Sequence, residues 1–279
     1  MDGRFLVFTG FTLAALALVL EPLRDLIRSA SRSEFYSHIV LIPLVTGYLI
    51  YTRRKELLGN PSPAYGMGGI GVLGGIALYL LGMSQGDRLS ENDLVALWVF
   101  SAVVFWTGGF ILLYGWEAFR KAPFPFLFLV FMIPIPGAIL QKIIYALQVA
   151  STEVSDVLFG LSRVPYTRDG FVFHLPGISV EVADVCSGIR SSLALFITSI
   201  LAGHFFLDRL WKKVVLAVFV FPVTVFKNGI RIITLSLLGA YVDPKFLTES
   251  FLHHSGGFIF FIPALGLLGV ALFLLRKKS

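Results

Sequence analysis

The chain has 279 residues, of which 56% are hydrophobic and only 14% charged, with 27 phenylalanines among them. A soluble domain carries roughly a quarter charged residues, so these side chains leave too little polar surface for a soluble enzyme, a disordered chain or a nucleic-acid-binding module. The net charge of +6 points instead to anionic headgroups on the cytoplasmic side of a membrane.

A bilayer span needs about 20 predominantly apolar residues. Eight segments approach this, at roughly 5–20, 38–51, 67–83, 95–114, 123–140, 188–206, 211–226 and 257–275. The first lacks a small-residue cleavage site and a strongly basic start, so it reads as an anchor rather than a cleaved signal peptide. Pro43 interrupts the second, and Pro123, Pro125, Pro134 and Pro136 crowd the fifth. Neither a Pro/Ser/Gly-rich linker nor an internal repeat divides the chain. The expected class is an all-α polytopic membrane protein with about eight transmembrane helices, forming one integral domain over residues 1–279.

Charge orients the spans. With the N-terminus inside, every short inner loop is basic. The inner segments hold twelve basic and four acidic side chains, a net +8, and the outer ones eleven and thirteen, a net −2. This is the asymmetry of the positive-inside rule, and it predicts that both termini are cytoplasmic. Arg24, Arg28 and Arg32 run against it by falling in the first outer loop, where Glu21, Asp25 and Glu34 partly offset them.

The one sizeable extramembrane stretch, 137–184, is expected outside. In its first half Ile143, Ile144, Leu147, Ala150, Val154 and Leu158 recur near helical spacing, which predicts an amphipathic helix lying in the interface or packed on the bundle. In the second half, Arg168-Asp169-Gly170 and Pro176-Gly177 are turn signals. Residues 171–175 and the alternation of Ile178, Val180 and Val182 with Ser179 and Glu181 predict a short outer-face β-hairpin. It leads straight into Cys186.

Cys186 is the only cysteine, which excludes an intrachain disulfide and a cysteine metal site. It stands just before the sixth span. Arg231 lies about 20 residues past Trp211, and at 1.5 Å per residue a helix has then crossed about 30 Å. His253 and His254 precede the eighth span. The predicted topology therefore brings all three to the outer face. A thiol at a helix N-terminus beside Arg190, at i+4 on the same face, has its pKa lowered. A guanidinium can stabilise an oxyanion, and a histidine can move the proton. Each group also has a plain reading: a small buried thiol, an arginine snorkelling to headgroups, and an interfacial polar rim.

With these pieces in hand, the chain resembles the exosortase/archaeosortase family of membrane cysteine transpeptidases. The resemblance rests on Cys-Ser-Gly-Ile-Arg at 186–190, Asn-Gly-Ile-Arg at 228–231, and a histidine ahead of a Gly-rich span start at 253–257. Tyr36-Ser37-His38 leading to Leu41-Ile42-Pro43, and Phe131-Met132-Ile133-Pro134-Ile135-Pro136, support it. It implies a protein-sorting enzyme that cleaves C-terminal tails of exported proteins near a Pro-Glu-Pro-type motif. The product would pass to water, a lipid headgroup or a glycan-linked lipid. Cys186 would be the nucleophile, Arg231 the transition-state stabiliser and His253 the general acid/base, with His254 one residue away as the alternative. His253 is preferred because the family pattern sets the histidine four positions before Gly257. Ser187 after the cysteine is closer to bacterial members, which implies a bacterial inner membrane with the site at the periplasmic face. The Asn228-Gly229 pair is expected to distort its helix and turn Arg231 toward Cys186. No cofactor or metal is implied, and His-Glu-x-x-His is absent. The rival reading is a polytopic transporter or polysaccharide-export component, which would carry charges near the middle of its spans.

Overall fold

The computed structural model describes residues 3–30, 37–59, 61–86, 88–184, 188–247 and 251–277, with the side chains of 21–30, 37, 38, 40 and 251–258 outside that description. The all-α polytopic class holds. Among the described residues six helices are long and apolar enough to cross a membrane: Gly3–Leu20, Tyr65–Ser84, Glu91–Tyr114, Ile189–Phe206, Leu210–Tyr241 and Ile259–Lys277. A broken pair, Phe124–Met132 with Gly137–Ser162, makes a seventh if it counts as one span. The second expected span is the shorter apolar helix Leu41–Thr52, so about eight becomes six or seven by length and composition.

The chain forms two compact units, Met1–Ile139 and Leu140–Ser279. The first holds α1 (Gly3–Ala30), α2 (Ser37–Thr52), α3 (Arg54–Leu58), α4 (Tyr65–Ser84), α5 (Glu91–Tyr114), α6 (Trp116–Lys121) and α7 (Phe124–Phe128). α1 runs past Leu20 to Ala30, so Arg24 and Arg28 fall within a helix and not in the expected loop. α4 and α5 meet along glycines. A Cβ at Gly71 would stand 2.8 Å from Gly108 Cα, and one at Gly75 would stand 2.7 Å from Phe105 Cβ. Such small residues let helix backbones approach where lipid leaves no hydrophobic drive between helices. Trp106 Nε1 donates to Thr12 Oγ1 at 3.0 Å and ties α5 to α1. Asp93 accepts the Gly137 N–H at 2.7 Å, and Asn92 donates to the Ile135 carbonyl at 2.9 Å. These bonds satisfy backbone groups freed where the prolines break the chain.

The second unit is built from α8 (Gly137–Ser162), a three-stranded sheet, α9 (Ile189–Phe206), α10 (Leu210–Tyr241) and α11 (Phe251–Lys277). Leu195, Leu216, Val220, Val223, Ala264 and Leu268 pack α9, α10 and α11 together. Lys212 is fully buried, and its Nζ donates to the Leu275 carbonyl at 2.8 Å. It thereby satisfies one of the carbonyls that every helix C-terminus leaves open. α10 runs for 32 residues, with Pro222 inside it, and stays helical through Phe226, Asn228 and Gly229, so Gly229 does not end the helix. Gly229 serves packing instead: a Cβ on it would stand 2.6 Å from Val154 Cγ1 of α8.

α8 buries Leu147, Gln148, Ser151, Thr152, Ser155 and Phe159, whereas the expected stripe, Leu147 apart, is half-buried at its edge. The buried face is polar because its groups are satisfied: Thr152 and Ser155 bond back to carbonyls one turn earlier at 2.8 and 2.7 Å. The hairpin is β2 (Val172–Leu175) and β3 (Ile178–Glu181), joined by Pro176-Gly177. Arg168 and Asp169, expected in a turn, belong to a further strand β1 (Thr167–Asp169) paired antiparallel to β2. Phe159, Phe173, Leu175, Val182 and Ile232 seat this sheet on α8 and α10. Arg168 bridges to Glu153 at 2.6 Å, and Tyr166 donates to Asp156 Oδ1 at 2.9 Å. Burial, then the Asp156 bond, raises the Tyr166 phenol above its usual range.

Candidate active site at the start of α9

Cys186 and Ser187 lie outside the described residues, but both flanks of their segment are fixed. Ahead of it, Gln148 Nε2 donates to the Val182 carbonyl at 2.6 Å, with Gln148 and Val182 both buried. Behind it, Gly188 takes φ +75°, a left-handed conformation open to glycine without steric cost. A Cβ on Gly188 would stand 3.1 Å from Asn228 Oδ1, so the chain here rests directly on α10. Lys227 Nζ donates to Ser191 Oγ. Ser191 and Ser192 in turn donate to the Gly188 carbonyl at 3.0 and 2.7 Å.

α10 supplies the opposing wall. Asn228 is wholly buried, and its Nδ2 donates to Ser151 Oγ of α8 at 3.1 Å. Lys227, Asn228 and Arg231 stand at helical i, i+1 and i+4, which puts Arg231 on the side that Lys227 and Asn228 turn toward the start of α9. Asn228 and Arg231 line a cavity of about 200 Å³ with Ser179, Val180 and Glu181 of β3. The structure thus brings Arg231 and Asn228 together with both flanks of the cysteine segment.

The other expected residues fall differently. Arg190 is exposed in the first turn of α9, which begins after the left-handed Gly188; its expected partner Cys186 lies outside the described residues. His253 and His254, expected in a loop, sit in the first turn of α11; their side chains lie outside the description. Among the described residues no group of three His, Cys, Asp or Glu side chains could hold a metal ion.

The family model described as transmembrane exosortase matches residues 30–270, a stretch that contains Cys186, Arg231 and His253. The chain belongs to the transmembrane exosortase family. No curated protein and no solved structure matches it. Membership makes this exosortase a multi-pass membrane protein of a family of membrane cysteine proteases and transpeptidases that act in sorting.

Lys227 is the main residue at this candidate site that the sequence does not announce. Ending the seventh span at 226 leaves it outside the apolar stretch, as an ordinary surface lysine. The unbroken α10 puts it 7% exposed inside the span, where an ionisable side chain is a functional signal. Its spacing of four from Arg231 was the available clue. Gln148 and Ser151 gave none, since polar residues on a helix read as a solvated face.

Proposed function

We propose that this exosortase cleaves C-terminal sorting tails of exported proteins at the outer face of a bacterial inner membrane and passes the product to a membrane-linked acceptor. The Cys186 thiolate attacks the scissile carbonyl, and His253 takes up the thiol proton. Arg231 holds the oxyanion as the tetrahedral intermediate forms. The C–N bond breaks, His253 protonates the departing amine, and an acyl thioester on Cys186 remains. A nucleophile on the acceptor then attacks that thioester, and the thiolate leaves. No step needs a cofactor.

The observation that supports this reading is the placement of Arg231. It lies on the same side of α10 as Lys227 and Asn228, and these two meet Ser191 and Gly188 on the C-terminal flank of the cysteine segment. A planar guanidinium at that spot suits a developing oxyanion better than a flexible ammonium does.

The test is co-expression with a tagged substrate that carries such a tail, followed by mass spectrometry of its new C-terminus. The intact enzyme should give one defined new end, and Cys186→Ala should give none at equal membrane abundance. Normal processing by Cys186→Ala would sink the mechanism. His253→Ala and His254→Ala, assayed side by side, should lose activity only in the first. Loss only in the second moves the proton-transfer role to His254.

A further inference from the structure

β3 is the edge strand of the sheet, whose order is β1-β2-β3. Its register to β2 pairs Phe173 with Val180 and Leu175 with Ile178, and one step beyond the strand the Val182 N–H donates to the Phe171 carbonyl at 2.9 Å. Antiparallel partners alternate between hydrogen-bonded and non-bonded pairs. The bonded 171/182 pair therefore fixes 173/180 and 175/178 as bonded, and His174/Ser179 and Val172/Glu181 as non-bonded. The N–H and C=O groups of Ser179 and Glu181 thus point away from β2, toward the open side of the strand. Among the described residues no backbone group pairs with them.

That open side faces the cavity beside Arg231. Ser179, Val180 and Glu181 all line it. Successive residues of a strand point to opposite faces, so three in a row around one cavity mark an edge and not a face. The opposite wall is Arg231, Ile232 and Leu235 of α10, a cation followed by an apolar patch. Soluble folds blunt such an edge with lysine, proline or a covering loop, yet β3 reads Ile-Ser-Val-Glu.

We infer that the β3 edge takes an extended segment of the substrate peptide as a fourth strand, which lays its backbone along Ser179 and Glu181 and brings its carbonyl toward Arg231. The inference rests on the proposed sorting activity and says how the tail is held. Main-chain bonds would supply the affinity, and the apolar patch of Ile232 and Leu235 would take alternate side chains, the usual division of labour in strand addition. An extended peptide is the fitting occupant. The edge offers two donors and two acceptors in a line, and the cavity continues along α10 to the guanidinium.

Cysteine cross-linking in membranes tests this. Val180 is hydrogen-bonded to β2, so toward an added strand it occupies a non-bonded position, where opposed residues come closest. In a Cys186→Ala background, Val180→Cys is oxidised against substrates that carry single cysteines at successive positions of the tail. Adducts should form at alternate positions, several-fold above those between. In the cysteine-intact enzyme, proline placed at successive tail positions should block processing only at the alternate sites whose N–H faces β3. Adducts without this alternation, or none, would overturn strand addition. A Val180→Cys adduct between two copies of the chain would assign the edge to dimerisation instead. If the intact enzyme cleaves no tail at all, the sorting activity itself fails; if it cleaves but no alternation is seen, only the edge proposal does.

Discussion

Lys227 and Arg231 put two cations one helical turn apart inside α10, with Asn228 beside Lys227 and buried completely. Like charges at this spacing repel, and a membrane interior sharpens the cost, so the pair is held by what it does. Lys227 reaches Ser191, and through it the Gly188 carbonyl. Lys227→Met keeps the length of the side chain and removes the donor. A hydrogen bond from a charged group is worth about 1.5–3 kcal/mol, so tail processing should fall about tenfold or more while α9–α11 still assemble. Alkylation of Cys186 by an impermeant maleimide, compared with wild type, reads the displaced segment directly. Arg231→Lys keeps the charge but loses the planar fork. It should leave well under a tenth of the wild-type cleavage rate at equal abundance, and near-normal turnover would make Arg231 a headgroup-seeking residue only. Gly188→Ala must hold a left-handed φ at about 1–2 kcal/mol and press its methyl on Asn228. Its loss of activity should exceed its loss of thermal stability in detergent.

Among the elements, α8 carries the clearest lesson. The residues it buries include Gln148, Ser151, Thr152 and Ser155, and hydrophobic periodicity cannot find a face made of satisfied hydroxyls and an amide. The stripe of Ile143, Ile144, Val154 and Leu158 was real, but it marks the flank. β1 was hidden for a similar reason: Arg168-Asp169-Gly170 is a fair turn signal, but antiparallel pairing with β2 takes Arg168 and Asp169 into a strand, where Arg168 also meets Glu153 and Asp156. Proline at Pro43 and over 123–136 did announce the short and broken helices. Cys186, Arg231 and the His pair stand out in the sequence because chemistry-bearing side chains are rare in so apolar a chain; the contacts of Lys227 and Asn228 beside Arg231 do not, since they are made across elements. Gln148→Leu tests the α8 contact. It leaves the Val182 carbonyl unmet, at about 1–3 kcal/mol for a buried group. Both the midpoint of thermal unfolding and tail processing should drop, whereas Gln148→Glu, which cannot donate once ionised, should be worse still.

At the scale of the whole molecule, the second unit gathers Lys212, Arg276 and the end of α11 at one end, with Arg231 and the β3 cavity far along α10. By the positive-inside rule the basic end is expected to be cytoplasmic. A reporter fused after Ser279 should therefore be active only as a cytoplasmic reporter, and the same reporter inserted within 163–166 only as an outer one; the reverse pattern would put the cysteine in the reducing compartment. The stretch of α10 between these ends is also a ruler. Lys213 and Arg231 are eighteen residues apart on one unbroken helix, about 27 Å at 1.5 Å per residue, close to the hydrocarbon thickness of about 30 Å. In a thicker bilayer the basic end and Arg231 both stay at headgroup level only if the bilayer thins around them, at a cost for each ångström of mismatch. Enzyme reconstituted in lipids of increasing acyl length should pass through an activity maximum and then decline. The distance between these two basic groups would then set the bilayer thickness in which the protein works best.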